Sequence, residues 1–245
     1  MLQNLELSLS ITRFGLQRTI AVRPTFPNII FDMDGTLVDT LGLITDAYNY
    51  VTSTHLPTRL QTDQVLMIPG RTLEDQLANC VAKNNLPIAV ELYHEFFKQN
   101  FDARLRVFQG IRGLLFSLRR KGVKLAVCTG ASRKTADYVL NRTRLLPFFE
   151  LVRTADDVKK PKPDPEGLLA VTDLLHASPE QTVYIGDHPN DFRASRSAGV
   201  RSASALWESQ LSSELEQLKP DFAFRHPSEV LRLSTWNVID STDDT

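Results

Sequence analysis

The sequence predicts an α/β fold, a doubly wound parallel sheet interrupted by a helical insert, and three observations lead there. Short apolar runs stop abruptly at carboxylates, hydroxyls or glycines, as in Ile29-Ile30-Phe31-Asp32-Met33-Asp34-Gly35-Thr36. From Gly110 onward, strand-like and helix-like patterns alternate, which implies parallel strands with helices on both faces. Between these regions, over about Leu41 to Leu105, the pattern is helical and holds no convincing strand.

The first apolar run is continuous because both faces of a parallel strand are covered. Asp32 and Asp34 therefore fall at its C-terminal end, where open α/β sheets place their ligands. Gly35 lets the chain turn sharply out of the strand. Two carboxylates this close repel one another, and a divalent cation shared with a further acid relieves that repulsion. The alternative is an Asp-Gly turn that merely caps a helix.

In the insert, Leu43, Ile44, Ala47, Tyr48 and Val51 recur at helical spacing. Thr62-Asp63 reads as the cap of a second helix. Gly70 breaks the pattern, and helices are expected over roughly 72–84 and 88–101. After Gly110 come a helix at 111–121, a strand at 123–128 ending at Thr129-Gly130, and a helix at 132–141. A strand at 149–152, a helix at 164–175 and a strand at 182–185 ending in Gly186-Asp187 follow. The next helix, 191–198, stops at Gly199, and short strands near 202–206 and 222–224 complete the sheet.

Three further stretches carry chemistry. Thr129 offers a hydroxyl at a strand end, where free backbone N–H groups also bind phosphate oxygens; a plain helix cap by Thr129 or Ser132 is the alternative. Lys159-Lys160-Pro161-Lys162-Pro163-Asp164-Pro165 is a charged loop stiffened by alternating prolines. A lysine fixed there can neutralise a nearby carboxylate and a phosphate together. Gly186-Asp187-His188-Pro189-Asn190-Asp191 ends a strand with one acid and supplies a second four residues on, both oxygen donors suited to a hard cation. His188 suits Mg²⁺ less well and reads as a polar neighbour.

Together these stretches resemble the four motifs of the haloacid dehalogenase (HAD) superfamily, in order, over about Pro27 to Phe224. Asp-Met-Asp-Gly-Thr-Leu looks like its first motif and Thr129 its second, with Gly130 where Asn is common. The Lys-Pro-x-Pro pattern aligns with Lys160-Pro161-Lys162-Pro163, which marks Lys160 as the active lysine and Lys162 as its nearby competitor. Gly186-Asp187 to Asp191 looks like the fourth motif, with His188 where Ser is frequent. The resemblance implies a HAD-like, Rossmann-like core (27–40 and 106–235) carrying a type 1 helical cap (41–105), with an N-terminal extension (1–26) and a flexible tail (236–245). It implies a Mg²⁺-dependent phosphatase in which Asp32 is the nucleophile and Asp34 the acid and base. Asp32, Asp187, Asp191 and the Asp34 backbone carbonyl are the implied metal ligands. Thr129 and Gly130 would hold the phosphoryl group, and Gly70 and Arg71 in the cap would meet the rest of the substrate. A solvated helix-start role for Arg71 is the alternative.

The closest implied activity is that of a phosphoglycolate phosphatase, with pyrophosphatase and sugar-phosphate phosphatase or phosphomutase as alternatives. A phosphonatase is disfavoured because Met67-Ile68-Pro69-Gly70-Arg71 holds no Schiff-base lysine, and a dehalogenase because it does not need Asp34. From other classes, a response-regulator receiver is disfavoured by the Asp-x-Asp spacing and the insert, and an inactive HAD-like binding subunit by the intact motifs.

Composition is that of an ordinary soluble globular protein. The chain has 245 residues, 42% hydrophobic and 23% charged, with a net charge of −1, so it carries no basic footprint for nucleic acid or membrane. Cys80 and Cys128 are the only cysteines, which fits a reducing cytoplasm. No apolar run is long enough to span a bilayer. In the first residues Leu2, Leu5, Leu7, Leu9 and Ile11 alternate as in a strand, and this segment is expected to be an added strand or a contact with a partner or a second copy; an organellar transit peptide is the weaker option. The expected partner at the site is a small phosphorylated molecule.

Overall fold

The computed structural model describes the backbone of residues 9–13, 16–53, 58–68, 72–209 and 211–240, and side chains within 25–53, 58–68, 72–209 and 211–235. Strands β1 (Leu9–Arg13) and β2 (Leu16–Pro24) form an antiparallel pair ahead of the core. Strand β3 (Asn28–Phe31) follows and leads into the Asp-x-Asp turn. Ile29, Ile30 and Phe31 are completely buried. Ile29 and Phe31 join the larger core cluster, whereas Ile30 joins a smaller one with Ala126 and Tyr184. The continuous apolar run is thus a strand covered on both faces.

The insert is bounded by a two-stranded ribbon, β4 (Val38–Asp39) against β5 (Arg106–Val107), whose Asp39 and Arg106 are ion-paired at 2.5 Å. Between them lie α1 (Leu41–Thr52), α2 (Thr62–Leu66), α3 (Leu73–Ala78) and α4 (Leu86–Arg104). Tyr93, Phe97 and Phe101, four residues apart on α4, are buried as one stripe. Tyr93 meets Tyr48 of α1 edge-on, with ring centroids 5.3 Å apart. The helix expected over 72–84 ends at Ala78, where the Asn79 side chain turns back to the Asp75 carbonyl (2.8 Å) in competition with the backbone.

The core continues through α5 (Ile111–Arg120), β6 (Lys124–Cys128), α6 (Arg133–Arg142), β7 (Leu151–Arg153), α7 (Glu166–Leu175), β8 (Thr182–Gly186), α8 (Pro189–Ala198), β9 (Arg201–Ala205), α9 (Ser212–Gln217) and β10 (Phe222–Phe224). The sheet is six-stranded and parallel, in the order β10-β9-β8-β3-β6-β7. Central β3 pairs in matching register with both neighbours, Phe31 lying opposite Val127 and Ile185. Asp32, Cys128 and Gly186 are therefore the next residue on three adjacent strands. That register places the candidate residues side by side.

One boundary differs from the sequence reading. Residues 236–240, expected within a flexible tail, form β11 (Trp236–Asp240), antiparallel to β2. The β-prone run Trp-Asn-Val-Ile finds its partner in the N-terminal extension, over two hundred residues away in sequence, so no local signal announces it. Residues 241–245 lie outside the described residues. Among the described residues no helix is long and apolar enough to cross a membrane.

Asp221 ties β9 to β10. Its carboxylate accepts the Ser202 N–H (2.9 Å), the Ser202 hydroxyl (2.8 Å) and Arg201 (3.1 Å). Burial alone would raise its pKa, but these donors hold it below the ordinary 3.8. A depressed folded-state pKa gives stability that is present above the unfolded value and lost as pH falls through the folded one. Urea titrations of Asp221→Asn against wild type are expected to differ by about 1 kcal/mol near neutral pH, converging in strong acid. A gap that persists unchanged below pH 3, roughly a unit under the unfolded value, would refute this.

Candidate active site

Asp32 leaves the end of β3 with its N–H donated to the Ile185 carbonyl (2.8 Å), which extends the ladder by one residue and holds the acid beside β8. Asp187 follows the end of β8, and Asp191 sits in the first turn of α8. Asp32, Asp187 and Asp191 are all buried, and one carboxylate oxygen from each lies within 4.8 Å of the others.

Two glycines make this crowding feasible. Gly35 has a φ of +75°, and a Cβ there would stand 2.1 Å from Asp187 Oδ2. A Cβ on Gly186 would stand 2.3 Å from Asp191 Oδ2. Both positions therefore exclude a side chain. Thr36 donates its hydroxyl to Asp187 Oδ1 at 2.8 Å, and buried Trp207 holds the Thr36 carbonyl at 3.0 Å. Asp191 Oδ2 accepts the His188 N–H at 3.0 Å. His188 Nδ1 in turn accepts the Asn190 N–H (3.1 Å), so His188 caps α8.

The lysine that reaches this cluster is Lys162, not Lys160. Lys162 Nζ donates to Asp32 Oδ1 (2.9 Å), Asp191 Oδ1 (2.6 Å) and the Tyr184 hydroxyl (2.8 Å). Lys160 is exposed, and its backbone N–H, with that of Lys159, is clamped by the Glu166 carboxylate at 2.9 Å. This clamp fixes the start of the loop outside the site, and the next two residues carry the chain inward. A signal for this was present: Lys-Pro-x-Pro occurs twice in overlapping register, at 160–163 and again at 162–165.

Asp34 stands at the mouth, its carboxylate accepting the buried Thr40 hydroxyl. Burial raises its pKa, only partly offset by Thr40 and Lys162. Thr129 and Gly130 line the same cavity; Thr129 accepts the Ala131 N–H at 3.1 Å, and Gly130 faces open space. Gly70 and Arg71 lie outside the described residues. The cavity, about 460 Å³, lies between the insert (Ile44, Tyr48, Tyr93) and the acids on the sheet. Thr36, Thr40 and Tyr184 were not singled out from sequence. Thr36 lies inside the Asp-Met-Asp-Gly-Thr-Leu stretch, and Tyr184 is the one hydroxyl inside the Val183-Tyr184-Ile185 run.

Charge within the cluster is unbalanced. Asp32 is pushed up to about 7, first by burial and then by Asp191 and Asp34, with Lys162 opposing. Burial, then the neighbouring Asp32 and Asp191, raise Asp187 well above its ordinary value. Burial would raise Asp191 too, but contact with Lys162 and His188 brings it below normal. Lys162 is disfavoured by burial and yet raised by Asp191 and Asp32, so it remains charged. One ammonium thus faces several carboxylates, and the surplus negative charge on hard oxygen donors fits a divalent cation such as Mg²⁺.

The chain belongs to the haloacid dehalogenase-like hydrolase family, whose profile matches residues 29–205. The pyrophosphatase PpaX of Bacillus cereus strain B4264 is 30% identical over 203 residues, 83% of this chain and 94% of that protein. A predicted phosphoglycolate phosphatase from Haemophilus somnus superposes with a TM-score of 0.77 at 20% identity, covering 85% and 98% of the two chains. A haloacid dehalogenase-like family protein from Streptococcus pneumoniae gives a TM-score of 0.70 at 26% identity, covering 84% and 97%. The protein is a hydrolase of this family.

Gly186→Ala has to displace Asp191, and Lys162 with it. Hydrolysis of p-nitrophenyl phosphate is expected to fall by roughly 10²-fold at an unchanged circular dichroism spectrum. Unchanged turnover would show that Asp191 moves without consequence.

Proposed function

We propose that the protein hydrolyses a small phosphate ester through a phospho-aspartate on Asp32, with Mg²⁺, in the manner of a phosphoglycolate phosphatase. One observation carries this reading: a single ammonium, Lys162, is held between the Asp32 nucleophile and Asp191, beside Asp187. Asp32 forms an O–P bond with the phosphoryl group as the bond from phosphorus to the leaving oxygen breaks, and Asp34 gives that oxygen its proton. Asp34 then takes a proton from the water that attacks phosphorus, the Asp32–phosphorus bond breaks, and phosphate leaves. Lys162 offsets the charge of Asp32 and of the transferring group, and Thr129 with neighbouring backbone amides orients it. Asp32, Asp187 and the Asp34 carbonyl would hold Mg²⁺, with Asp191 alongside. The ion supplies charge neutralisation at the phosphoryl oxygens.

A cavity of about 460 Å³ closed by the insert suits a small molecule. Cleavage of inorganic pyrophosphate is the second reading, favoured by the 30% identity to the PpaX pyrophosphatases. Free Cys80 and Cys128 suit the cytoplasm.

The test is turnover of p-nitrophenyl phosphate, phosphoglycolate, pyrophosphate and sugar phosphates with and without Mg²⁺. Asp32→Asn is expected to abolish metal-dependent turnover. Lys162→Met should lower it roughly 10³-fold, whereas Lys160→Met should stay within about twofold. Activity retained in Asp32→Asn, or lost in Lys160→Met rather than Lys162→Met, would overturn the assignment. Ranking kcat/KM across the panel separates the ester from the anhydride reading.

A further inference from the structure

We infer that Tyr184 is the positioning residue for the active lysine: its buried hydroxyl anchors the Lys162 ammonium and ties it to the strand end that carries Thr129. This rests on the phosphatase reading of the same site.

An ammonium has three N–H donors and no acceptor. In Lys162 all three are assigned, to Asp32 Oδ1, Asp191 Oδ1 and Tyr184 Oη, at 2.9, 2.6 and 2.8 Å. These partners differ in what the reaction asks of them. Asp32 must release its hydrogen bond when its oxygen bonds to phosphorus, and the freed N–H then meets a phosphoryl oxygen. Asp191 and Tyr184 take no covalent part, so they are the contacts that persist through both chemical steps. With Asp191 alone, the ammonium would keep a single anchor and swing on four side-chain bonds. Tyr184 supplies the second.

The tyrosine is itself fixed. Its side chain is 1% exposed, with its ring packed in the smaller core cluster beside Ile30 and Ala126. Its hydroxyl has one proton to give, and lies 2.8 Å from the Cys128 carbonyl and 3.0 Å from Asp191 Oδ1. Lys162 already supplies Asp191 Oδ1 with a proton, which leaves the tyrosine proton for the Cys128 carbonyl. Cys128 ends β6, and Thr129 is the next residue. One hydroxyl thus joins the lysine loop to the end of β6. An apolar ring at this position would fill the same core volume but would leave a buried N–H of Lys162 and the Cys128 carbonyl unpaired.

Tyr184→Phe keeps the packed ring and deletes only the hydroxyl, so it isolates the anchor. The experiment is a double-mutant cycle with Lys162→Met on p-nitrophenyl phosphate, with melting temperatures recorded alongside. In the wild-type background Tyr184→Phe is expected to lower kcat about 10- to 100-fold with KM within about twofold. In the Lys162→Met background it should cost nothing further, because the group it positions is gone. An equal loss in both backgrounds, no loss in either, or a phenylalanine variant that does not fold would each overturn the inference, the last by making the hydroxyl a requirement of the fold. A wild type inactive across the phosphate panel would instead sink the phosphatase reading itself, a result distinguishable from an active wild type that ignores Tyr184→Phe.

Discussion

A single buried ammonium holds this site together. Several carboxylates in one buried cluster would not stay ionised unaided, since removing each charge from water costs several kcal/mol. Lys162 meets Asp32 and Asp191 directly and lowers the cost for both. It leaves negative charge over among Asp32, Asp187 and Asp191, and that residue of charge is what suits the site to a cation. Had the lysine neutralised every acid, the cluster would have no electrostatic call for a metal.

The sheet exists, in functional terms, to bring these groups level. Matching register of β3 with β6 and β8 sets Asp32 level with Cys128 and Gly186, so Thr129 and Asp187 emerge one residue further on, beside it. Close packing then requires Gly35 and Gly186, whose missing side chains leave the space taken by Asp187 and Asp191. Thr36 and Thr40 complete the arrangement by donating to Asp187 and Asp34. The helical insert closes the opposite side of the cavity with Ile44, Tyr48 and Tyr93, which makes the space small and partly apolar.

Much of this was legible in the sequence because it is local. Apolar runs of three to five residues ending in acids or hydroxyls gave β3, β6 and β8, and the amphipathic spacing gave α1, α4 and α5. What was not legible depends on long-range pairing. Strand β11 needs β2 as its partner, and a five-residue run at the end of a chain carries no mark of that. Which lysine reaches the acids was not legible for a different reason. Lys160 and Lys162 both begin a Lys-Pro-x-Pro pattern, and only the Glu166 clamp on the backbone at 159 and 160 settles which one turns inward. Tyr184 was hidden by its place within a buried strand, where a tyrosine reads as one more apolar residue.

The most direct measurement is rapid acid quench during turnover with a substrate labelled in its phosphoryl group, followed by peptide mapping. The account predicts a transient acyl phosphate, labile to hydroxylamine, on the peptide that contains Asp32 and absent from Asp32→Asn. Steady turnover with no covalent label, or a label on any other residue, would contradict it.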